Sequence, residues 1–194
     1  MFDLLTGSCE LADMTVASRT YPNLHVAPSS INLARLEMMS SNAATMAYRL
    51  KEKLQDRTGW DLIVIDTGPT LGLLSVMAMT AATHILVPIQ ASYYALQGTR
   101  DLMETYSQVK QYMNPELEIL GVLITMYSAR TNMSREAAAE IKQSFGDKVF
   151  TTVISRRVVL EESPAFGQGV VTYKPGSLSA EEYGALYGEV MGRG

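Results

Sequence analysis

Residues 61–69 read DLIVIDTGP. Four apolar residues in a row, Leu62, Ile63, Val64 and Ile65, end in Asp66 and then in a Gly68-Pro69 turn. A short apolar run bounded by turn residues is the pattern of a strand buried on both faces of a parallel sheet. Such a strand delivers its terminal acid to the carboxyl rim of the sheet, where ligands of open α/β folds bind. A carboxylate there can hold Mg²⁺ directly or through water, because Mg²⁺ takes few protein oxygens and completes its shell with water and phosphate. The other reading of Asp66 is a cap on a helix that begins near Leu71.

Strands and helices alternate on both sides of this stretch. Residues 1–20 have weak helical character, and residues 23–28 (NLHVAP) read as a short strand. Over residues 41–56, Ala43, Ala47, Leu50 and Leu54 recur at helical spacing with Arg49, Lys51, Glu52 and Lys53 outside. Downstream, residues 73–82 (LLSVMAMTAA) read as a buried helix and residues 84–89 (HILVPI) as a second apolar strand. A helix over 99–113 carries Leu102, Tyr106, Val109 and Met113 on one face and is stopped by Asn114-Pro115. Residues 119–125 (ILGVLIT) form a third strand. Ser134 caps a helix over 135–145 with Ala138, Ile141 and Phe145 inside. Residues 148–154 (KVFTTVI) form a fourth strand, and 163–176 a loop around a short VVTY strand. Ser179-Ala180-Glu181-Glu182 reads as a capping box that opens a last helix, with Tyr183, Leu186 and Val190 on one side. The pattern predicts an α/β fold, a mostly parallel sheet with helices on both faces. No repeat, linker or low-complexity tract interrupts it, so residues 1–194 are read as a single domain.

Composition narrows the function classes. With 194 residues, 47% hydrophobic and 19% charged, the chain has the make-up of a folded domain with a core. A net charge of −4 and a pI near 5.2 exert no bulk pull on nucleic acid. The single cysteine, Cys9, excludes a disulfide framework and a multi-cysteine metal site. No apolar run approaches the roughly 20 residues that span a bilayer, and no secretion signal opens the chain. A cytoplasmic protein is therefore expected, and its 12 methionines are read as core filler.

Polar candidates other than Asp66 cluster at strand ends. Arg130, in the loop TMYSARTN (125–132), and Ser155-Arg156-Arg157 follow neighbouring strands. Three arginines so placed face phosphate, a nucleotide or DNA backbone, or else form a solvated turn rim. Glu161 and Glu162 are read as solvated or paired with those arginines, and His25 and His84 as structural. A phosphate loop, GxxxxGK[ST], cradles phosphate with backbone N–H groups and a lysine. The 194 residues contain no Gly-Lys pair. Gly7 and Gly59 are isolated, and after Gly68 the ring of Pro69 removes one donor.

Several long blocks, in order, resemble the ParA/Soj branch of the ParA/MinD family of chromosome- and plasmid-partitioning ATPases. They are FDLL (2–5), NLHVAPSSINLARLEMM (23–39), WDLIVIDTGPTLGLLSVMAMTAA (60–82), HILVPIQASYYALQGTRDL (84–102), GVLITMYSARTN (121–132) and ISRRVVLEESPAFGQGVVTYKPGSLSAEEY (154–183). The resemblance runs from about Phe2 to Val190 and implies a P-loop NTPase-like fold of the deviant Walker type. It implies ATP and Mg²⁺ as cofactors, with Asp66 as the Mg²⁺-site carboxylate of the second Walker motif. Thr67, Pro69, Arg130, Ser155 and Arg156 would lie at the nucleotide, the loop 155–158 being near the adenine. The resemblance also implies nonspecific DNA binding through basic residues, for which Arg156 and Arg157 are the candidates because they are adjacent at a strand end, and Tyr93 and Tyr94 would lie near the dimer face. Implied partners are a second copy or a full-length ParA-like protein, a ParB-type protein and nonspecific DNA, with no membrane.

The sequence also departs from the family. The family's opening strand, its phosphate loop KGGxGKT/S, the following helix and a strand ending in DxDPQ have no counterpart. The family's ID-Cys-Pro-Pro is Ile65-Asp66-Thr67-Gly68-Pro69 here, and Ser92, Ser128 and Ser155 stand where the family has Glu, Asp and Pro. The expectation is a ParA-like chain, N-terminally incomplete relative to the family, that does not hydrolyse ATP on its own. The alternative is a non-catalytic ParA-derived module that binds a ParA-type partner or DNA. Loss of the opening strand predicts open sheet edges, which invite pairing with another chain.

Overall fold

The computed structural model describes residues 1–39, 43–55, 59–92 and 95–194. They divide into two compact units, residues 1–83 with 104–117, and residues 84–103 with 118–194.

The first unit is built of short helices. Phe2–Thr6, Leu11–Met14, Arg35–Met39, Ala43–Ala47 and Arg49–Lys53 precede the longer helix Leu73–Ala81. The expected helix over 41–56 is thus two pieces broken at Tyr48, with 41, 42 and 56 outside the described residues. Leu5, Leu36, Leu50, Leu54, Met77 and Ala81 form the core. Two residues of the expected strand at 23–28 pair: β1 (Val16–Ala17) and β2 (His25–Val26) form an antiparallel ribbon. The buried Asn114 side chain donates to Met79 O at 3.0 Å and Ala82 O at 2.7 Å. It thereby satisfies carbonyls that the C-terminal end of Leu73–Ala81 leaves open.

Residues 61–67 overturn a sequence expectation. They form no strand and pair with no other strand among the described residues. Leu62 is 62% and Val64 81% exposed, and only Ile65 touches the core. A continuous apolar run is stable as a strand only when neighbours pair its two edges and cover its two faces. Nothing among the described residues does so here.

The second unit carries the parallel sheet. Strands β3 (His84–Gln90), β4 (Glu118–Tyr127) and β5 (Val149–Ser155) lie in that order, all parallel. Val87, Ile89, Val122, Ile124 and Val149 pack on Ala138 and Ile141 of helix Asn132–Phe145. On the other face Leu123, Phe150 and Ile154 pack against Leu186 and Val190 of helix Leu178–Arg193. Helices therefore cover both faces of a parallel sheet, as expected. Three local details differ. Ser134 sits inside its helix, which Thr131 opens. Residues 170–173 (VVTY) form a helical turn instead of a strand. Ser177, whose hydroxyl accepts from Ala180 N at 3.2 Å, caps the last helix in place of Ser179, which is buried in the first turn. No helix among the described residues is long and apolar enough to cross a membrane.

Candidate functional site

The first unit carries Asp66, Thr67 and Pro69, all exposed. Asp66 has no hydrogen bond or ion pair among the described residues. It does not cap the next helix: Gly72 is the N-cap, without a side-chain bond. Ser75 Oγ instead donates to Thr70 O at 2.5 Å, and the Glu37 carboxylate fills the space that a Cβ at Gly72 would need. An acid beside this helix start suits the positive end of the helix dipole.

In the second unit the carboxyl ends of β3, β4 and β5 bring Gln90, Tyr127 and Ser155 to one rim. Arg156 N donates to Tyr127 O at 2.9 Å, which carries the β4–β5 pairing one residue past β5. Met126, at the end of β4, has φ of 52°. This left-handed conformation is rare for a side chain of its size. It turns the chain from β4 into the loop that holds Arg130, which is exposed. In that loop Ser128 N donates to Ser134 Oγ at 3.0 Å. Beside β3, a cavity of about 400 Å³ is lined by Val87, Ile89, Gln90, Gly98, Thr99 and Leu102 among others. Tyr93 and Tyr94, the expected dimer-face residues, lie outside the described residues.

The adjacent arginines have different surroundings. Arg156 is 71% exposed, and its Nε lies 4.0 Å from Glu161 Oε1. Arg157 is 30% exposed, with Nη1 2.7 Å from Glu182 Oε2. The same carboxylate accepts from Ser155 Oγ at 2.7 Å and from Ser155 N at 3.1 Å. Burial, the largest single influence, pushes the Glu182 carboxyl up. The bonds from Arg157 and Ser155, with the Arg157 charge, outweigh it and hold the group below its ordinary range. Sequence reasoning missed Glu182 as the organiser of this strand end. It lies 27 positions from Ser155, and no local pattern joins the two.

Asp66 stands alone and exposed, no group of three or more His, Cys, Asp or Glu among the described residues can hold a metal ion, and no Gly-Lys pair is present to cradle phosphate.

A family model described as an AAA domain matches residues 1–119. The sporulation initiation inhibitor protein Soj of Bacillus subtilis is 39% identical over 195 residues, covering 100% of this chain and 77% of that relative. The chromosome partitioning protein ParA of Caulobacter vibrioides is 36% identical, covering 100% and 73%. Among solved structures, cobyrinic acid a,c-diamide synthase from Mycobacterium smegmatis with bound ATP analog and magnesium matches with a TM-score of 0.71 and 28% identity. That match covers 91% of this chain and 73% of the other.

Proposed function

Because the chain belongs to the ParA/Soj family of P-loop partitioning ATPases, we propose that it serves DNA partitioning in the cytoplasm without hydrolysing ATP through its own residues alone. The observation that carries this reading is the state of the second-Walker-like stretch. Asp66 ends an apolar run that pairs with no strand among the described residues, and no phosphate-holding Gly-Lys accompanies it in the 194 residues. One carboxylate can serve Mg²⁺, which completes its shell with water and phosphate, but the Gly-Lys cradle that would hold those phosphates is absent from the 194 residues. In this reading ATP and Mg²⁺ bind only when another polypeptide segment supplies the phosphate loop. Asp66, Thr67, Pro69, Arg130, Ser155 and Arg156 then contribute to the composite site. Calorimetry of the 194-residue chain with Mg²⁺ and ATP tests it: no saturable heat is expected, and stoichiometric micromolar binding overturns the reading.

A second reading is a non-catalytic module that joins a full-length ParA-type protein, with a ParB-type protein and DNA as further partners. The exposed apolar run at 62–64 favours it, because backbone and apolar side chains that pair with no strand among the described residues are open to a partner's strand. For DNA, Arg156 is the residue available to phosphates, while Arg157 is engaged by Glu182. Arg156→Ala is expected to lower the salt slope of DNA affinity by about one. An affinity that does not change with salt ends the DNA part of this reading.

A further inference from the structure

Among the described residues no strand pairs with the outer edge of β5. Such an edge presents a row of N–H and C=O groups to any other chain. Here the row is occupied. Glu189 accepts from Thr151 N at 2.8 Å and from Thr152 N at 2.7 Å, one bond to each carboxylate oxygen, and Glu182 accepts from Ser155 N at 3.1 Å. At the start of the strand Arg193 donates to Lys148 O at 3.1 Å and to Val149 O at 3.2 Å. All three side chains come from helix Leu178–Arg193, which therefore runs antiparallel to β5. Tyr183 and Tyr187 of the same helix are left outward.

Helix and strand match in spacing. Glu182 and Glu189 are two turns apart, a rise of about 10 Å, and the extended chain from Thr152 to Ser155 also spans about 10 Å. The strand is shaped for the contact as well. Successive N–H groups of a regular strand point to opposite edges, so one carboxylate does not reach two in a row. β5 carries two extra residues at this point: Val122 pairs with Val149, and Ile124 with Val153. The insertion is even, so Val149 and Val153 stay on one face of the sheet and Phe150 and Ile154 on the other. Thr151 and Thr152 are the extra pair, and the bulge turns both of their N–H groups to Glu189.

We propose that the last helix guards the edge of β5 against strand addition, with Glu189 as the bolt. An incoming strand would have to displace both carboxylates from these N–H groups and would strip Arg157 and Arg193 of their acidic partners. Packing alone does not call for charges at the bulge, because Leu186 and Val190 already hold the helix to Leu123, Phe150 and Ile154. A bulge, inward-pointing charges and a covering helix each blunt a sheet edge. All three meet at residues 151–155.

Amide hydrogen exchange of the 194-residue chain, followed residue by residue by NMR, and cross-linking at β5 test this. Glu189→Ala is expected to speed exchange at Thr151 and Thr152 about tenfold or more, and to leave Val122 and Ile124 of β4 within about twofold of the parent. In a Cys9→Ser background, Thr151→Cys is expected to give a disulfide-linked pair of chains when combined with Glu189→Ala, and none when Glu189 is kept. Thr151→Cys combined with Asn114→Ala, which weakens the first unit instead, is expected to give none. Glu189→Gln keeps the size of the side chain and one acceptor, and is read in the same way should Glu189→Ala fail to fold. Unchanged exchange at Thr151 and Thr152 overturns the proposal, as does fast exchange there in chains that do not cross-link. Cross-linking that is equal with and without Glu189, or equal in the Asn114→Ala chain, also overturns it, because association would then follow from something other than an opened edge.

Discussion

Glu182 holds Ser155 by two atoms at once, the hydroxyl at 2.7 Å and the backbone N–H at 3.1 Å. It ties the last residue of an edge strand to the last helix, and the Arg157 guanidinium closes the cluster at 2.7 Å. The end of β5, from which Arg156 projects, is thus set by a residue far along the chain.

Glu182→Ala is expected to destabilise the protein by about 1–3 kcal/mol, because it strands a half-buried guanidinium and a backbone donor. Arg156→Ala, on an exposed side chain, is expected to stay within about 0.5 kcal/mol of the parent. Urea denaturation of the two variants checks both values.

The cluster also predicts a response to acid. The Glu182 and Glu189 carboxyls lie below their ordinary value of 4.5 in the folded chain. For Glu189, burial pushes the group up, and the bonds from Thr152 and Thr151, with the Arg193 charge, outweigh it. A group lowered on folding stabilises the fold above its unfolded value, and that contribution disappears as pH falls through its folded value. Melting temperature is therefore expected to be insensitive to these groups near neutrality and to fall below about pH 4.5. The double variant Glu182→Gln with Glu189→Gln is expected to flatten that fall.

Gly121 is required by packing. A Cβ there would meet Phe150 Cε2 at 2.5 Å and Arg193 Nη1 at 2.9 Å. Because the Phe150 ring is fully buried and lies under the Arg193 guanidinium, neither can give way freely. Gly121→Ala is expected to cost about 1–3 kcal/mol, read by thermal melting. An unchanged melting temperature would show that the ring and the guanidinium do yield.

Val64→Lys separates the two descriptions of the opening stretch. On the exposed run seen here it is expected to change stability by less than about 0.5 kcal/mol and to reduce aggregation measured by light scattering. In a strand buried on both faces, the same lysine would cost several kcal/mol.

Asn114→Ala removes both donors that reach Met79 O and Ala82 O. One buried and one partly buried carbonyl would lose this partner, for a loss of about 1–3 kcal/mol in chemical denaturation. Asn114→Asp is expected to be no better, since a carboxylate oxygen cannot donate to a carbonyl.

What the sequence by itself determined is the order and type of the long elements. The runs HILVPI, ILGVLIT and KVFTTVI are β3, β4 and β5, and the expected inward residues appear on the helix between β4 and β5 (Ala138 and Ile141) and on the last helix (Leu186). Those features follow from local periodicity, which a chain displays before it folds. The family was legible too, because motif blocks survive as linear strings. Tertiary structure decided what depends on neighbours. DLIVID has a buried strand's composition but pairs with no strand among the described residues, since ladder partners are not encoded within the run itself. Ser155, Arg157 and Glu182 share one cluster only because the last helix returns along the edge of β5. The inward carboxylates and outward tyrosines of that helix have the same cause. The unpaired N–H groups of an edge strand attract charge, and that requirement appears only when the sheet ends there.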